Sequence, residues 1–208
     1  MTREEWLGVL EQRHGADLQQ KFSSACVVVC GLGGLGSNVA ISLARAGVGK
    51  LLLIDFDKVD ISNLHRQQYA VSQLGMCKTE AMKQTLADIA PCCEIVTHTV
   101  KLTEENLSLV ADCDIVCECF DNAECKAMFV NGVAERYPEK YIVAASGMSG
   151  LHTSNPIQTK RLGKRLYICG DGMSDVDNDR TLFAPRVMLC AAHQANTVLR
   201  IIAGKFEV

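Results

Sequence analysis

The sequence predicts an α/β fold with a doubly wound, mainly parallel sheet of the Rossmann-like type. Short β-branched runs alternate with longer helical patterns, and a glycine-rich turn follows the first of these runs. The chain has 208 residues, of which 48% are hydrophobic. A chain of that length can bury one sizeable core, so we expect a single domain over residues 1–208.

The elements of this fold follow one another along the chain. Residues 1–22 are predicted as an N-terminal helical segment because the pattern is charged and helical. Strands are predicted over residues 25–30, 50–54, 94–99, 113–118 and 141–146. Helices are predicted between them, over residues 35–47, 78–90, 104–111 and 122–137. Right-handed crossovers then place the carboxyl ends of the strands, and any ligand, along one edge of the sheet.

The last third of the chain departs from this alternation. Residues 151–168 form a polar, β-like extension. Residues 169–186 are irregular and acidic, which predicts a mobile crossover loop. The final pattern, from Arg186 to about Gly204, has small and apolar residues on nearly every turn and predicts a largely buried C-terminal helix.

Composition restricts the classes of partner. The net charge of -3 and the isoelectric point near 6.0 give no general attraction to nucleic acid or to an anionic membrane surface. No apolar run approaches the roughly 20 residues of a membrane span, and the charged N-terminus is unlike a signal peptide. We therefore expect a cytoplasmic protein that binds neither nucleic acid nor membranes.

Eleven cysteines raise the alternatives of a disulfide framework and a zinc site. Most fall inside apolar runs, including Cys26, Cys30, Cys113, Cys117 and Cys119, which favours reduced thiols buried in strands. The C-x-x-C spacing that is typical of structural zinc does not occur in the sequence. We expect no zinc.

The glycine-rich turn is a candidate phosphate site. Gly31, Gly33 and Gly36 have the spacing G-x-G-x-x-G between a strand and a helix, where free backbone N–H groups and the helix dipole attract phosphate. Asp55 ends the next strand, 19 residues after Gly36, where an acidic side chain would accept a hydrogen bond from a ribose hydroxyl. The alternative is a turn that serves only close packing of strand and helix.

The residues after Asp55 favour a triphosphate over NAD. Asn63, Arg66 and Gln67 bring donors beside the glycine turn, and Lys78 begins the next predicted helix. Backbone amides and a helix end usually satisfy the pyrophosphate of NAD. An additional Arg and Lys suit a triphosphate of roughly four negative charges, from which pyrophosphate must leave.

Asp121 is a candidate magnesium ligand. It follows the strand predicted over residues 113–118, on the edge that faces the ligand. Mg2+ prefers oxygen ligands and partial hydration, and a single Asp with phosphate oxygens is a normal arrangement. The alternative is an Asp-Asn helix cap with Asn122, which is compatible with a metal role.

Four segments, in order, resemble the ThiF/MoeB family, bacterial relatives of the ubiquitin-activating enzymes. They are GLGGLGS at 31–37, DFDKVDISNLHRQQY at 55–69, GMCKTEA at 75–81 and CFDN at 119–122. The resemblance extends over most of the chain and looks closest to short ThiF-like proteins that help to make the thiazole sulfur of thiamine. It implies a homodimeric adenylyltransferase that uses ATP and Mg2+. The implied partner is a ubiquitin-like, ThiS-like sulfur carrier whose Gly-Gly carboxylate attacks the α-phosphate and releases pyrophosphate.

The resemblance also implies roles for individual residues. The residues expected to bind ATP are Gly31, Gly33, Gly34, Gly36, Asp55, Asp57, Asn63, Arg66, Gln67 and Lys78. The catalytic set comprises Arg66, Lys78, Asp121 as the Mg2+ ligand, and Arg13, which would reach the site of the neighbouring subunit. A solvated arginine at a helix end is the alternative for Arg13.

The sequence departs from the family pattern at two places. Cys169, in LYICGDG, lacks the C-x-x-C partners that many relatives use for zinc. Asp179, in NDRT, stands where some relatives carry a reactive cysteine, so we expect adenylation without a covalent thiol nucleophile. Cys169, in the predicted loop, is the alternative for sulfur chemistry, and Cys190 is expected to be buried and inert.

Other functions remain open at this point. An NAD-dependent oxidoreductase could use the same glycine turn, although no convincing hydride-transfer residue is found. A nucleotide-bound scaffold that docks a ubiquitin-like protein is a non-enzymatic alternative. The adenylated carboxylate could also belong to a molybdopterin-type carrier, to a small molecule or to an RNA.

Overall fold

A computed structural model of the chain describes residues 2–179 and 181–208, and within them the strands form one seven-stranded sheet. The strands are β1 Cys26–Cys30, β2 Lys50–Ile54, β3 Glu94–His98, β4 Ile115–Glu118, β5 Tyr141–Ala145, β6 Gln158–Leu162 and β7 Leu166–Gly170. Their order is β3-β2-β1-β4-β5-β7-β6. Neighbouring strands are parallel except for the antiparallel β6–β7 pair.

Helices connect and cover the strands. The α-helices are α1 Arg3–His14, α2 Ala16–Ser24, α3 Gly34–Arg45, α4 Lys78–Ile89, α5 Ala123–Arg136, α6 Val176–Asp179 and α7 Ala184–Ile202. Short 3-10 segments span Ile61–Asn63, Val71–Gln73 and Glu104–Val110. In the described part of the chain, no helix has the length and apolar character needed to cross a membrane.

The sheet has a hydrophobic core on each face, which confirms the doubly wound α/β prediction. Val27 and Val29 of β1 belong to the core that includes residues of α3, α4 and α7. Val28 points to the opposite face and belongs to the core that includes residues of α5. Because both faces are covered, the central strands are continuous apolar runs rather than alternating ones.

Several boundaries differ from the prediction for local reasons. The N-terminal helical segment is two helices, because Gly15 adopts a φ of +88° between α1 and α2. Residues 104–110 form a 3-10 helix with a kink at Asn106. The polar extension is the β6–β7 hairpin, which turns at Gly163.

The predicted loop over residues 169–186 is partly regular. Its first two residues end β7, residues 176–179 form α6, and α7 begins at Ala184. Arg180, in the same segment, lies outside the described residues. The mobility of this segment stays a prediction. Helix α7 buries one face against the sheet, as its apolar pattern indicates.

The expectation of reduced thiols is wrong for one pair of cysteines. Cys26 and Cys113 form a disulfide, with their Cα atoms 4.9 Å apart. They are 87 residues apart in sequence, and the pairing of β1 with β4 brings them together. Cys30 and Cys117 are free and fully buried, as predicted.

Candidate active site

A cleft of about 690 Å³ opens at the carboxyl ends of the parallel strands. The turns that follow β1, β2, β4 and β5 line it, together with residues from segments 63–67 and 172–175. β1 and β4 are neighbours at the point where the strand order reverses, which is where open α/β sheets bind ligands. Predicted site residues that line the cleft are Gly31, Gly33, Gly34, Asp55, Asp57, Asn63, Arg66, Gln67, Lys78 and Asp121.

The glycine turn brings α3 close to β1. Gly31 has a φ of +87°, and a Cβ added to it would lie 2.8 Å from the carbonyl oxygen of Cys119. A Cβ added to Gly36 would lie 1.8 Å from the carbonyl oxygen of Gly31. These two glycines therefore serve close packing, and of the two only Gly31 also lines the cleft, so Gly36 would act on ATP through the packing of α3. Gly33 and Gly34 carry the N-terminus of α3 to the cleft. Packing and phosphate binding are thus compatible roles of one turn.

Asp55 holds the glycine turn in place. It is 8% exposed, and its two carboxylate oxygens accept hydrogen bonds from the amides of Leu32 (2.5 Å) and Asp57 (2.7 Å). Burial raises the pKa of Asp55, and these amides together with Lys78 oppose that effect. Contact of Asp55 with a ribose hydroxyl stays a prediction.

Lys78 supplies a buried cation at the start of α4. It is 4% exposed, and its Nζ lies 2.9 Å from Oδ2 of Asp57. A buried ammonium is costly without a charge partner, so Asp57 stabilises Lys78 in this position. The predicted phosphate-binding cation therefore has a carboxylate partner in the cleft.

The segment after Asp55 contributes three polar side chains. Gln67 is buried and donates from Nε2 to Oδ1 of Asn63 (3.0 Å), while its Oε1 has no hydrogen-bond partner among the described residues. An unpaired buried acceptor in a cleft indicates a site for a ligand or a water. Arg66 is partly buried, and burial lowers its pKa while the charge of Asp121 opposes that effect.

Asp121 lies exposed at the cleft, between β4 and α5. The cap of α5 is made by Asn122, whose Oδ1 accepts from the amide of Cys125 (2.9 Å), so the capping alternative does not occupy Asp121. The described residues contain no group of three His, Cys, Asp or Glu side chains that could hold a metal ion alone. Asp121 therefore fits Mg2+ only if nucleotide oxygens and water supply the other ligands.

A part-buried ion pair that the sequence motifs do not indicate flanks Asp121 along the chain. The Glu118 side chain is 1% exposed, and Nζ of Lys126 lies 2.9 Å and 3.0 Å from its two oxygens. The same Nζ donates to the carbonyl oxygen of Ala145 (3.0 Å). The sequence signal that could have predicted this pair is a glutamate within the apolar run CDIVCEC, eight residues before a lysine.

Asp179 anchors the segment that precedes α7. Its oxygens accept from Oγ of Ser149 (2.6 Å) and pair with Nε2 of His152 (2.8 Å). The hydrogen bond from Ser149 is the main cause that lowers the pKa of Asp179. Asp179 thus makes structural contacts at the position where, according to the sequence resemblance, some relatives carry a reactive cysteine.

Two buried cysteines are poorly suited to sulfur chemistry. Cys169 belongs to β7 and is fully buried, so its predicted place in a mobile loop is wrong. Cys190 is fully buried in α7, as expected. Burial raises the pKa of both thiols, which disfavours the reactive thiolate.

Arg13 is not among the residues that line this cleft. It lies exposed in the last turn of α1. Leu10, on the same helix, packs close to Gly47 in the loop before β2, at the opposite edge of the sheet. Any role of Arg13 at a nucleotide site therefore requires a second subunit, and it stays a prediction.

Comparison with known sequences gives a family and several relatives. Residues 9–208 match the ThiF family. Ubiquitin-like modifier-activating enzyme 5 of Caenorhabditis briggsae is 36% identical over 201 residues, covering 89% of this chain and 45% of the relative. Adenylyltransferase and sulfurtransferase UBA4 of Candida glabrata is 40% identical over 142 residues, covering 67% of this chain and 32% of the relative. The chain thus spans less than half the length of these curated relatives.

Comparison with solved structures supports the fold. E. coli tRNA N6-threonylcarbamoyladenosine dehydratase, TcdA, superposes with a TM-score of 0.85 at 20% identity, covering 97% of this chain and 95% of TcdA. At that identity the likeness shows a shared fold, which agrees with the predicted α/β class.

Proposed function

Because the chain belongs to the ThiF family, we propose that it is an adenylyltransferase that transfers AMP from ATP to a carboxylate and releases pyrophosphate. The observation that carries the proposal is the convergence in one cleft of the glycine turn, Arg66, Lys78 and Asp121. A dinucleotide oxidoreductase would need the glycine turn but not two cations and a facing carboxylate. A scaffold that only docks a ubiquitin-like protein would not need all of these residues, so their joint presence also argues against a scaffold without activity.

The residues of the cleft would have different roles in the reaction. The N-terminus of α3 would hold phosphate through its free amides, while Arg66 and Lys78 would neutralise the triphosphate and the charge that develops on the α-phosphoryl group. Mg2+ held by Asp121 would supply further charge neutralisation. The attacking carboxylate is already ionised at neutral pH, since its pKa is about 3.5, so no general base is needed. Positioning and electrostatics therefore account for the chemistry.

We propose a small ubiquitin-like protein as the carrier of the carboxylate. The names of two relatives, a ubiquitin-like modifier-activating enzyme and an adenylyltransferase and sulfurtransferase, support this class of partner. The finer proposal is a ThiS-like carrier ending in Gly-Gly, in the formation of the thiamine thiazole, and it rests on the sequence resemblance alone. The same resemblance supports a homodimer, and the composition supports a cytoplasmic location.

The direct test is exchange of labelled pyrophosphate into ATP. Exchange should depend on a ThiS-like carrier and should be lost when its terminal glycine is removed, because the carboxylate then no longer reaches the α-phosphate. A molybdopterin-type carrier and tRNA, offered in parallel, would identify those substrates instead. Binding of NADH without binding of ATP would reject adenylation.

Arg13 gives a separate prediction about the dimer. Arg13→Ala and Arg66→Ala are expected to be weakly active alone, but a mixture should regain about one quarter of wild-type exchange. Random mixing makes half of the dimers heterodimers, and in these one of the two sites has its own Arg66 and the partner's Arg13. Full exchange by Arg13→Ala alone would show that Arg13 is a solvated helix-end residue.

A further inference from the structure

We propose that the Glu118–Lys126 ion pair is a positioning element that presents Asp121 to the Mg2+ of bound ATP. This inference rests on the proposed function and concerns two residues to which the sequence motifs assign no role. Asp121 lies between the two members of the pair, on the turn that joins β4 to α5. The pair therefore fixes both ends of the turn that carries the metal ligand.

Lys126 uses its ammonium group entirely within the protein. Its Nζ has three acceptors, the two oxygens of Glu118 and the carbonyl oxygen of Ala145, at 2.9 to 3.0 Å. An ammonium has three N–H donors, so this set satisfies it. Although Lys126 lines the cleft, its geometry is that of a cross-link between α5 and the end of β5 rather than that of a phosphate ligand.

Glu118 ties the same turn to the sheet. Its Oε1 also accepts from the amide of Phe120 (2.7 Å), one residue before Asp121. Its backbone oxygen accepts from Nε2 of Gln194 on α7 (2.9 Å). On the other side of Asp121, Asn122 caps α5 through the amide of Cys125. Asp121 is thus exposed at the centre of a turn whose neighbours on both sides are fixed.

The energetics favour a positioning role over a stabilising one. Burial of Glu118 costs desolvation that the attraction of the partly exposed Lys126 roughly offsets, so uncharged side chains of similar volume would serve stability equally well. A pair retained at one end of a nucleotide cleft is better explained by the geometry it imposes. Groups that orient a metal ligand typically contribute about 10- to 100-fold to metal affinity.

The test compares ATP affinity with and without Mg2+, in the absence of any carrier. The variant is Glu118→Gln with Lys126→Met, which removes both charges and leaves no unpaired buried ion. We expect its ATP affinity without Mg2+ to equal that of the wild type, and the gain in affinity from Mg2+ to be about tenfold smaller. In an Asp121→Ala background the double change should have no further effect, because the pair acts through Asp121.

A matched control removes the exposed pair Lys50–Glu94 by Lys50→Met with Glu94→Gln, and it should leave the Mg2+ effect unchanged. Thermal unfolding of both double variants verifies that they are folded. If Mg2+ raises the ATP affinity of the folded Glu118/Lys126 variant as much as that of the wild type, the inference is wrong but the proposed function still stands. The inference is also wrong if the double change still lowers the gain in ATP affinity from Mg2+ in the Asp121→Ala background. Failure of the unmodified protein to bind ATP would overturn the proposed function as well.

Discussion

Replacement of Arg66 by alanine should lower carrier-dependent pyrophosphate exchange by about 100- to 1000-fold, the range seen when a donor to transition-state charge is removed. Arg66 lines the cleft, is partly buried and faces the charge of Asp121. Its partial burial strengthens the interaction with phosphate, since solvent screens it less. The loss should appear mainly in the rate of exchange at saturating ATP, measured with a labelled pyrophosphate assay.

Two further variants test whether the loss of exchange comes from the guanidinium group of Arg66. Arg45→Ala removes an exposed arginine in the last turn of α3 and should leave exchange unchanged. Arg66→Lys keeps the charge but loses the planar pair of donors, so it should recover only part of the rate. If Arg66→Ala and Arg45→Ala exchange at the same rate, Arg66 has no role in the transition state.

Replacement of Gly36 by alanine should abolish ATP binding. The new Cβ would lie 1.8 Å from the carbonyl oxygen of Gly31 and 3.3 Å from Cβ of Cys119, so α3 must move away from β1. That movement displaces the amides at the N-terminus of α3 and lowers the free energy of unfolding by about 1–3 kcal/mol or more, as overpacking does. Calorimetric titration with ATP, together with chemical denaturation, measures both effects.

Gly8→Ala is the matched control for this change. Gly8 lies within α1, and nothing lies within 4 Å of an added Cβ. Alanine should therefore stabilise the protein by about 0.5–1 kcal/mol through helix propensity, with ATP binding unchanged. ATP affinity retained in Gly36→Ala would show that the turn tolerates displacement and that its amides are not the phosphate site.

Local sequence signals were sufficient to predict the parallel core of the fold. Strands such as β2, over Lys50–Ile54, coincide with their predicted runs because a strand covered on both faces must be continuously apolar. The glycine turn was equally clear, since Gly31 and Gly36 occupy positions that exclude a Cβ. The residues predicted around the nucleotide converge because parallel strands end at one edge.

Such local signals could not predict contacts between residues that are distant in the sequence. The cross-link of Lys126 to Glu118 and Ala145 depends on β4 and β5 being neighbours, which no local pattern specifies. The disulfide of Cys26 with Cys113 depends on the pairing of β1 with β4 in the same way. Interpretation of each cysteine from its own run therefore predicted the burial of Cys113 correctly, but Cys26 is only partly buried and the pairing of the two was not predicted.

The ion pair of Lys78 with Asp57 has a consequence for turnover. The carboxylate of Asp57 takes one of the three N–H donors of Lys78, so the others can bind phosphate while the ion pair persists. Because Asp57 already neutralises part of the charge of Lys78, the net attraction of Lys78 for ATP is smaller than that of a lone buried ammonium. Under the proposed chemistry, this weaker attraction would limit the retention of pyrophosphate, and Lys78 would keep a charge partner after pyrophosphate departs. The site would thus favour repeated release over the tightest binding.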